Sequence, residues 1–167
     1  GTSSAPITIK AYNGENAIMD GSTGGGNAFL GSYWVLDGLE ICNSSNDAGV
    51  YFAGNYCKAL NLKVHHNWAA GIYVDGNNNL IDNCIAYSNS MMNKNGSMQG
   101  GGWATGITTG YWDTARGYPT GNIIQNCTSY NNWGEGISAY QSIGTVIQDC
   151  VSYNNWSVNL YLNNAPD

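Results

Sequence analysis

The sequence predicts an all-β fold, a right-handed parallel β-helix, from three observations. Apolar segments of three to five residues alternate with polar ones, which is typical of short strands and not of helices. A unit of about 23 residues recurs: Cys127 and Cys150 are 23 positions apart, and Trp133 and Trp156 repeat that interval. Only 10% of the residues are charged, and 23 are glycine. Three strands and three bends per unit make one turn of a solenoid, in which each turn pairs only with its neighbours.

Six partial or complete copies of this unit can be aligned along the chain. In order, they begin near Pro6, Val35, Lys58, Asn79, Asn122 and Thr145. The chain is therefore expected to form a single β-helix domain over residues 1–167, with about six turns of about 23 residues.

One turn is longer than the others. Cys84 and Cys127 lie 43 positions apart, which exceeds the repeat of 23 by 20 residues. Aligning Gly106 with Gly71 divides this excess between two insertions, at about 91–104 and 111–120. Long loops in a compact repeat usually line a binding face, so this turn is the expected place for a site.

Charge and hydropathy exclude several classes of protein. The formal net charge is −6 and Arg116 is the only arginine, whereas a nucleic-acid partner requires clustered cations. No apolar run approaches the roughly 20 residues that span a bilayer. There is neither an initiator Met nor a signal peptide, so a processed or excised segment of a secreted or cell-surface protein is expected.

Repeated residues become columns when the turns stack in register. One bend is expected to hold Gly38, Asn61, Asn83, Asn126 and Asp149. Asn tolerates a left-handed backbone there, and its amide is expected to be buried and to bond to the next copy. An inward column is expected to contain Leu39, Leu62, Cys84, Cys127 and Cys150. Free buried thiols are favoured in this column, and Cys42 with Cys57 is the alternative pair for a disulfide.

An outward aromatic column is expected on the same sheet. It contains His65, Tyr87, Tyr130 and Tyr153, with Trp68, Trp133 and Trp156 near the following bend. Stacking along this column is interpreted as structural, with sugar stacking as the alternative. The pair His65-His66 resembles a metal site, but neighbours on a strand face opposite ways, so no metal is expected there.

The long turn concentrates residues suited to an acidic sugar. The outward residues of its sheet are Tyr51, Tyr73, Thr108, Ser138 and Tyr161. The insertions add Lys94, Trp103, Tyr111, Trp112, Asp113, Arg116 and Tyr118. Cations match carboxylates and aromatic rings match sugar faces, so a polysaccharide partner is predicted. Tyr73, Thr108, Trp103, Tyr111 and Trp112 are predicted to bind substrate. The alternative is that Lys94 and Arg116 are solvated loop charges.

Lyase chemistry requires a neutralised uronate carboxylate, often through Ca²⁺, and a base that removes the adjacent proton. Lys94 or Arg116 is the predicted base. Asp75 and Asp113 both follow their strands, whereas Glu135 is expected to precede its strand. A four-residue strand is about 13 Å long, so one ion cannot bridge residues at its two ends. Asp75 and Asp113, which lie at the same end of their strands, are therefore the predicted calcium pair, and no other cofactor is expected.

Two segments, 5–21 and 33–41, resemble the opening of pectate-lyase-like β-helices. This group includes family nine pectate lyases and the alginate lyases and chondroitinase B of family six. The later Asn-Cys-x-x-Tyr-x-Asn units, such as the one that starts at Asn126, also resemble family nine. The resemblance implies the fold and a polysaccharide substrate.

The chain differs from family nine at the positions where the resemblance implies the catalytic Lys and the calcium ligands. The stretch 95–101 has no Lys at the matching place, and the segment 134–138 keeps one acid, Glu135, of the calcium motif. The amphipathic cap of such β-helices is also missing, which implies a longer solenoid or end-to-end self-association. Two functions remain open: an acidic-polysaccharide lyase, or a non-catalytic carbohydrate-binding or structural fibre module.

Overall fold

The computed structural model describes residues 1–95, 104–110 and 117–163. These residues form eighteen short strands and one 3-10 turn, Met91–Asn93. The strands form three parallel sheets of six strands each, and successive strands along the chain pass from one sheet to the next. The predicted β-helix of about six turns is confirmed.

Each turn contributes one strand to each sheet. Sheet one contains β1 (Ile7–Lys10), β4 (Trp34–Asp37), β7 (Lys58–Leu60), β10 (Leu80–Asp82), β13 (Ile123–Gln125) and β16 (Val146–Gln148). Sheet two contains β2 (Ala17–Asp20), β5 (Leu39–Cys42), β8 (Lys63–His65), β11 (Ile85–Tyr87), β14 (Thr128–Tyr130) and β17 (Val151–Tyr153). Sheet three contains β3 (Asn27–Phe29), β6 (Val50–Phe52), β9 (Ile72–Val74), β12 (Thr105–Gly110), β15 (Glu135–Tyr140) and β18 (Leu160–Asn163).

The register places equivalent residues of successive turns above one another. In sheet one, Ile81 lies between Ala59 and Ile124, and all three side chains are fully buried. Apolar residues from the three sheets fill the centre of the rod, because alternate residues of each strand point inward. The inward column is also confirmed: Cys84 and Cys127 are 0% and 1% exposed, while Cys150 in the last turn is half-buried. All five cysteines are free, so the alternative disulfide is wrong.

The expected bend between sheets one and two has the predicted backbone. Gly38, Asn61, Asn83, Asn126 and Asp149 all have φ between 52° and 67°. The amide of Asn83 donates from Nδ2 to Oδ1 of Asn61 at 2.8 Å, as expected of stacked copies. However, Asn126 is exposed, so the expectation that this column is buried is wrong.

The buried asparagine ladder lies at the next bend, between sheets two and three. Asn67, Asn89 and Asn132 are 0%, 0% and 2% exposed. Nδ2 of Asn67 donates to Oδ1 of Asn89 at 2.9 Å, and Asn89 donates in turn to Oδ1 of Asn132 at 3.2 Å. Asn155 continues the ladder by accepting from Asn132 at 2.9 Å. Each amide of this ladder therefore finds a partner in the turn above or below.

Candidate functional site

Sheet three differs from the other two sheets in its longest strands and its outer face. β12 and β15 have six residues each, while no other strand has more than four within the described ranges. Thr108 and Ser138 lie in register and are only 4% and 1% exposed. Their hydroxyl oxygens are 2.6 Å apart. This face therefore carries buried polar groups, which usually requires a specific function or network.

Tyrosines and an aspartate continue this face toward earlier turns. The rings of Tyr51 and Tyr73 stack with centroids 5.1 Å apart. The phenol of Tyr51 donates to Oδ2 of Asp75 at 2.6 Å, which fixes the carboxylate directly after β9. Tyr73 pairs in register with Thr108, so the two predicted substrate-binding residues are neighbours on the same face.

Tyr140 and Glu135 also belong to this face. Burial raises the pKa of Tyr73 well above its ordinary value, and interactions with Tyr140 and Asp75 raise it further. Burial also raises the pKa of Tyr140, and the negative charges of Asp75 and Glu135 add to the effect. Both phenols therefore stay protonated and serve as hydrogen-bond donors near two carboxylates. We name Tyr51, Tyr73, Asp75, Thr108, Glu135, Ser138 and Tyr140 the sheet-three cluster.

The position of Glu135 corrects one expectation. The sequence places Glu135 before its strand, but it is the first residue of β15 and only 3% exposed. Register with Thr105 extends the strand pairing back to this position. Tyr140 ends the same strand and lies two residues after Ser138, so alternation from the predicted outward Ser138 could have identified it.

A cavity of about 200 Å³ opens beside Asp75. It is lined by Ala53, Asn55, Asp75, Gly76, Asn77, Gly117, Tyr118 and Pro119. The lining joins residues that follow strands of sheet three with the end of the second predicted insertion. A ligand in this cavity would therefore contact the Asp75 end of the sheet-three cluster.

The remaining predicted site residues divide into two groups. Lys94 is exposed and follows the 3-10 turn, donating from its backbone N–H to the carbonyl of Met91 at 3.3 Å. Trp103, Tyr111, Trp112, Asp113 and Arg116 lie outside the described residues. The structure therefore brings Tyr73, Thr108 and Asp75 together, while the predicted bases and the second predicted calcium ligand stay predictions.

The described residues do not by themselves form a calcium site. Within residues 1–95, 104–110 and 117–163, no three His, Cys, Asp or Glu side chains are grouped to hold a metal ion. One oxygen of Asp75 already accepts from Tyr51. The amide oxygens of Asn55 and Asn77 accept backbone N–H groups of neighbouring turns. Ca²⁺ takes six to eight oxygen ligands, so an ion beside Asp75 would need further oxygens from backbone carbonyls, from water or from residues outside the described ranges.

The outer face of sheet two carries the expected aromatic column. His65 stacks on Tyr87 with ring centroids 4.7 Å apart, and Tyr87 stacks on Tyr130 at 5.2 Å. Tyr130 continues to Tyr153 at 5.1 Å. Because the ring faces cover one another, the column supports the structural interpretation.

A second cavity, of about 380 Å³, lies at the bend that follows sheet two. It is lined by Ser88, Asn131, Asn132, Trp133, Asn154 and Trp156. Trp156 is 46% exposed. This surface lies beside the aromatic column, and its lining shares no residue with the sheet-three cluster, so it is a separate candidate for sugar contact.

Comparisons with known proteins identify similar chains. Residues 1–165 match the family described as "Pel9A-like, right handed beta helix region". "Pectate lyase L" of Paenibacillus polymyxa (strain SC2) is 26% identical over 149 residues, which cover 79% of this chain and 30% of that protein.

Solved structures show the same architecture. The crystal structure of pectate lyase Pel9A superposes with a TM-score of 0.77 and 26% identity, covering 93% of this chain and 39% of that one. A rhamnogalacturonan lyase superposes with a TM-score of 0.73 over 99% of this chain and 46% of that one, at 20% identity, and so shows the fold alone. The chain spans less than half the length of each of these relatives. No helix among the described residues is long and apolar enough to cross a membrane.

Proposed function

Because this chain belongs to the Pel9A-like right-handed β-helix family, we propose that it is the β-helix region of an extracellular polysaccharide lyase. It binds an acidic polysaccharide across the sheet-three cluster and cleaves it by β-elimination. Relatives named pectate lyases are much longer than this chain, which covers 30% of one from Paenibacillus polymyxa and 39% of the solved Pel9A chain. The segment is therefore proposed to belong to a longer solenoid.

One observation carries this proposal: the outer face of sheet three holds polar side chains that are buried. Thr108 and Ser138 are almost fully buried there, although they lie on the outer face of the rod. Burying hydroxyl and carboxyl groups costs free energy unless they are bonded, and perturbed titratable groups cluster at functional sites. On sheet two, by contrast, the outward Ile85 and Val151 are 42% and 56% exposed.

The proposed reaction uses the residues predicted around this face. A base, Lys94 or Arg116, removes the proton beside the uronate carboxylate. The electron pair forms a carbon–carbon double bond as the bond to the leaving glycosidic oxygen breaks, and that oxygen takes up a proton. Tyr73 and Thr108 would hold the sugar through hydrogen bonds, since the raised pKa of Tyr73 keeps its phenol protonated.

The described part of the face is acidic, so a uronate needs positive charge from elsewhere. Asp75 and Glu135 contribute two carboxylates, and Lys94 is the described cation nearest in sequence to β12. Arg116 belongs to the second predicted insertion, as do Tyr111 and Trp112, while Trp103 belongs to the first. Calcium, which the resemblance implies, would have to be held by Asp75 together with Asp113.

A second function is favoured by one specific observation, the missing Lys in 95–101. In this alternative the chain binds carbohydrate without cleaving it. End-to-end association of copies into a longer rod or fibre belongs to this alternative.

The experiment that separates these functions is an absorbance assay for unsaturated uronates. Pectate, alginate and glycosaminoglycans are tested with and without Ca²⁺. The double variant Lys94→Ala/Arg116→Ala is compared with Lys10→Ala, which removes a positive charge from an exposed residue of β1. We expect Lys10→Ala to keep full activity and the double variant Lys94→Ala/Arg116→Ala to lose at least about 100-fold, as expected for loss of a general base. If none of the substrates gives an unsaturated product, the lyase proposal is rejected and the carbohydrate-binding alternative remains.

The location of the site is tested separately by glycan binding. The double variant Arg116→Ala/Trp112→Ala should lose binding and keep its melting temperature. Trp156→Ala serves as the control at the second cavity and should bind normally. Loss of binding in Trp156→Ala alone would move the site to the bend after sheet two.

A further inference from the structure

The only two histidines of the chain are neighbours in sequence and also in space. His65 ends β8, and His66 lies beyond the strand with φ of 55°. The rule that strand neighbours face opposite ways therefore does not apply to this pair, and the two side chains meet instead of pointing apart. The two Nδ1 atoms are 2.8 Å apart, and the rings are nearly perpendicular at 89°.

Glu40, one turn earlier, fixes the orientation of the His65 ring. Oε1 of Glu40 lies 3.0 Å from Nε2 of His65, while Oε2 pairs with Nζ of Lys63 at 3.2 Å. A proton on Nε2 is therefore held by the carboxylate, and Nδ1 of the neutral ring is left with a lone pair. This is the arrangement in which a carboxylate orients a metal-ligating histidine.

The His65 ring is also held from its other side. It stacks on Tyr87 with centroids 4.7 Å apart, and its side chain is only 12% exposed. His66, in contrast, is exposed. The His65 ring is thus held on two sides, and His66 is held beside it by the Nδ1–Nδ1 contact, which limits the entropy lost when both bind one ion.

We propose that His65 and His66 bind a single Cu²⁺ ion through their Nδ1 atoms. Metal–imidazole bonds of about 2.0 Å at a right angle separate two nitrogens by about 2.8 Å, whereas a tetrahedral angle separates them by about 3.3 Å. Without an ion the two Nδ1 atoms are at hydrogen-bond distance, so only a small movement is needed to bring both onto one ion. Cu²⁺ prefers square-planar or tetragonal sites of nitrogen and oxygen ligands, which two imidazoles and water can supply. Nitrogen sites also bind Cu²⁺ most strongly among the divalent first-row metals.

Water supplies the other ligands in this site. Among the residues that the structure describes, no third His, Cys, Asp or Glu joins the pair as a ligand. Without the ion, His66 donates its Nδ1 proton to Nδ1 of His65. Binding moves that proton to Nε2 of His66, which changes the tautomer and leaves the ring neutral.

The charges around the pair permit a cation. Glu40 is shared between Lys63 and His65, so the Lys63 charge is offset by the carboxylate. The net charge of −6 favours cations over the whole molecule. The site lies on sheet two, whereas the sheet-three cluster is on another face, so the proposal is independent of the lyase function.

Cu²⁺ titration of the full chain tests the proposal, with glycine as competing ligand and electron paramagnetic resonance as readout. Wild type should bind one equivalent and show coupling to two equatorial imidazole nitrogens. His66→Asn, which tolerates the left-handed backbone, and His65→Phe, which keeps a ring on Tyr87, should each weaken binding by about 100-fold through loss of chelation. Wild-type affinity in either variant would overturn the site.

The role of Glu40 has a matched control. Glu40→Gln should weaken Cu²⁺ binding by about 10-fold because it removes the orienting charge. Glu15→Gln removes the same charge from an exposed residue outside the pair and should leave the affinity unchanged. If both variants bind Cu²⁺ equally weakly, the effect is due to net charge and Glu40 does not orient His65. Circular dichroism of each variant checks that the fold is intact.

Discussion

A Cβ atom on Gly106 would lie 2.5 Å from Nδ2 of Asn132. The corner between sheets two and three therefore closes around a glycine, because the buried ladder amide occupies the space of a side chain. Gly71 faces Asn89 and Gly136 faces Asn155 in the same way, at 2.7 and 2.5 Å. Each glycine of this column thus leaves the space that the amide of one ladder asparagine fills.

Gly106→Ala should destabilise the rod by about 1–3 kcal/mol, since an added methyl overpacks a filled corner. Gly24→Ala is the matched control: its Cβ would meet no atom within 4 Å. Urea unfolding monitored by tryptophan fluorescence measures both free energies. Equal stabilities would mean that the corner relaxes without cost.

Asn89→Ala should cost about 1–3 kcal/mol, because Asn67 and Asn132 would each lose a partner in a buried place. Asn16→Ala, at an exposed position, should change the free energy of unfolding by less than about 0.5 kcal/mol. Thermal melts of both variants provide the comparison. A wild-type melting temperature for Asn89→Ala would contradict the ladder.

Cys127→Ser should cost about 1–3 kcal/mol, since it places a hydroxyl at a site only 1% exposed. Cys150→Ser should cost less because Cys150 is half-buried. Thiol labelling of the native protein should modify Cys150 well before Cys84, where burial raises the pKa of the thiol. Rapid labelling of Cys84 in the folded protein would show that the inward cysteine column is accessible to the reagent, which would contradict this prediction.

Alkaline pH should destabilise the fold through Tyr73. Burial raises the pKa of this phenol above its ordinary value of about 10, so the unfolded chain releases the proton at a lower pH than the folded chain. The stabilising contribution is complete below pH 10 and is lost as the pH rises further.

Wild type should therefore lose stability above pH 10 more steeply than Tyr73→Phe, by about one proton per molecule. Tyr12→Phe, at a residue 70% exposed, should follow the wild-type slope. Urea titrations between pH 9 and pH 11 measure the three slopes. A Tyr73→Phe slope equal to that of wild type would mean that Tyr73 ionises freely in the folded state.

The repeat alone determined the architecture. Copies of one unit can stack only in register, so the column of Cys84, Cys127 and Cys150 and the stack of Tyr87, Tyr130 and Tyr153 follow from aligning the units. Alternation along each strand also placed Tyr73 and Thr108 on one outer face. These predictions succeed because each depends only on local period and on pairing between adjacent turns.

Tertiary structure decided which bends are buried and where strands end. Asn126 and Asn132 are both bend asparagines in the repeat, yet only Asn132 is enclosed, because sheet three closes over its corner with Gly106 opposite. Strand β8 ends at His65, so the left-handed residue His66 returns its ring to the same side. Glu135 is buried because β15 extends to include it. In each case the side chain's environment depends on how the three sheets meet, and the spacing of residue types along the sequence does not show this.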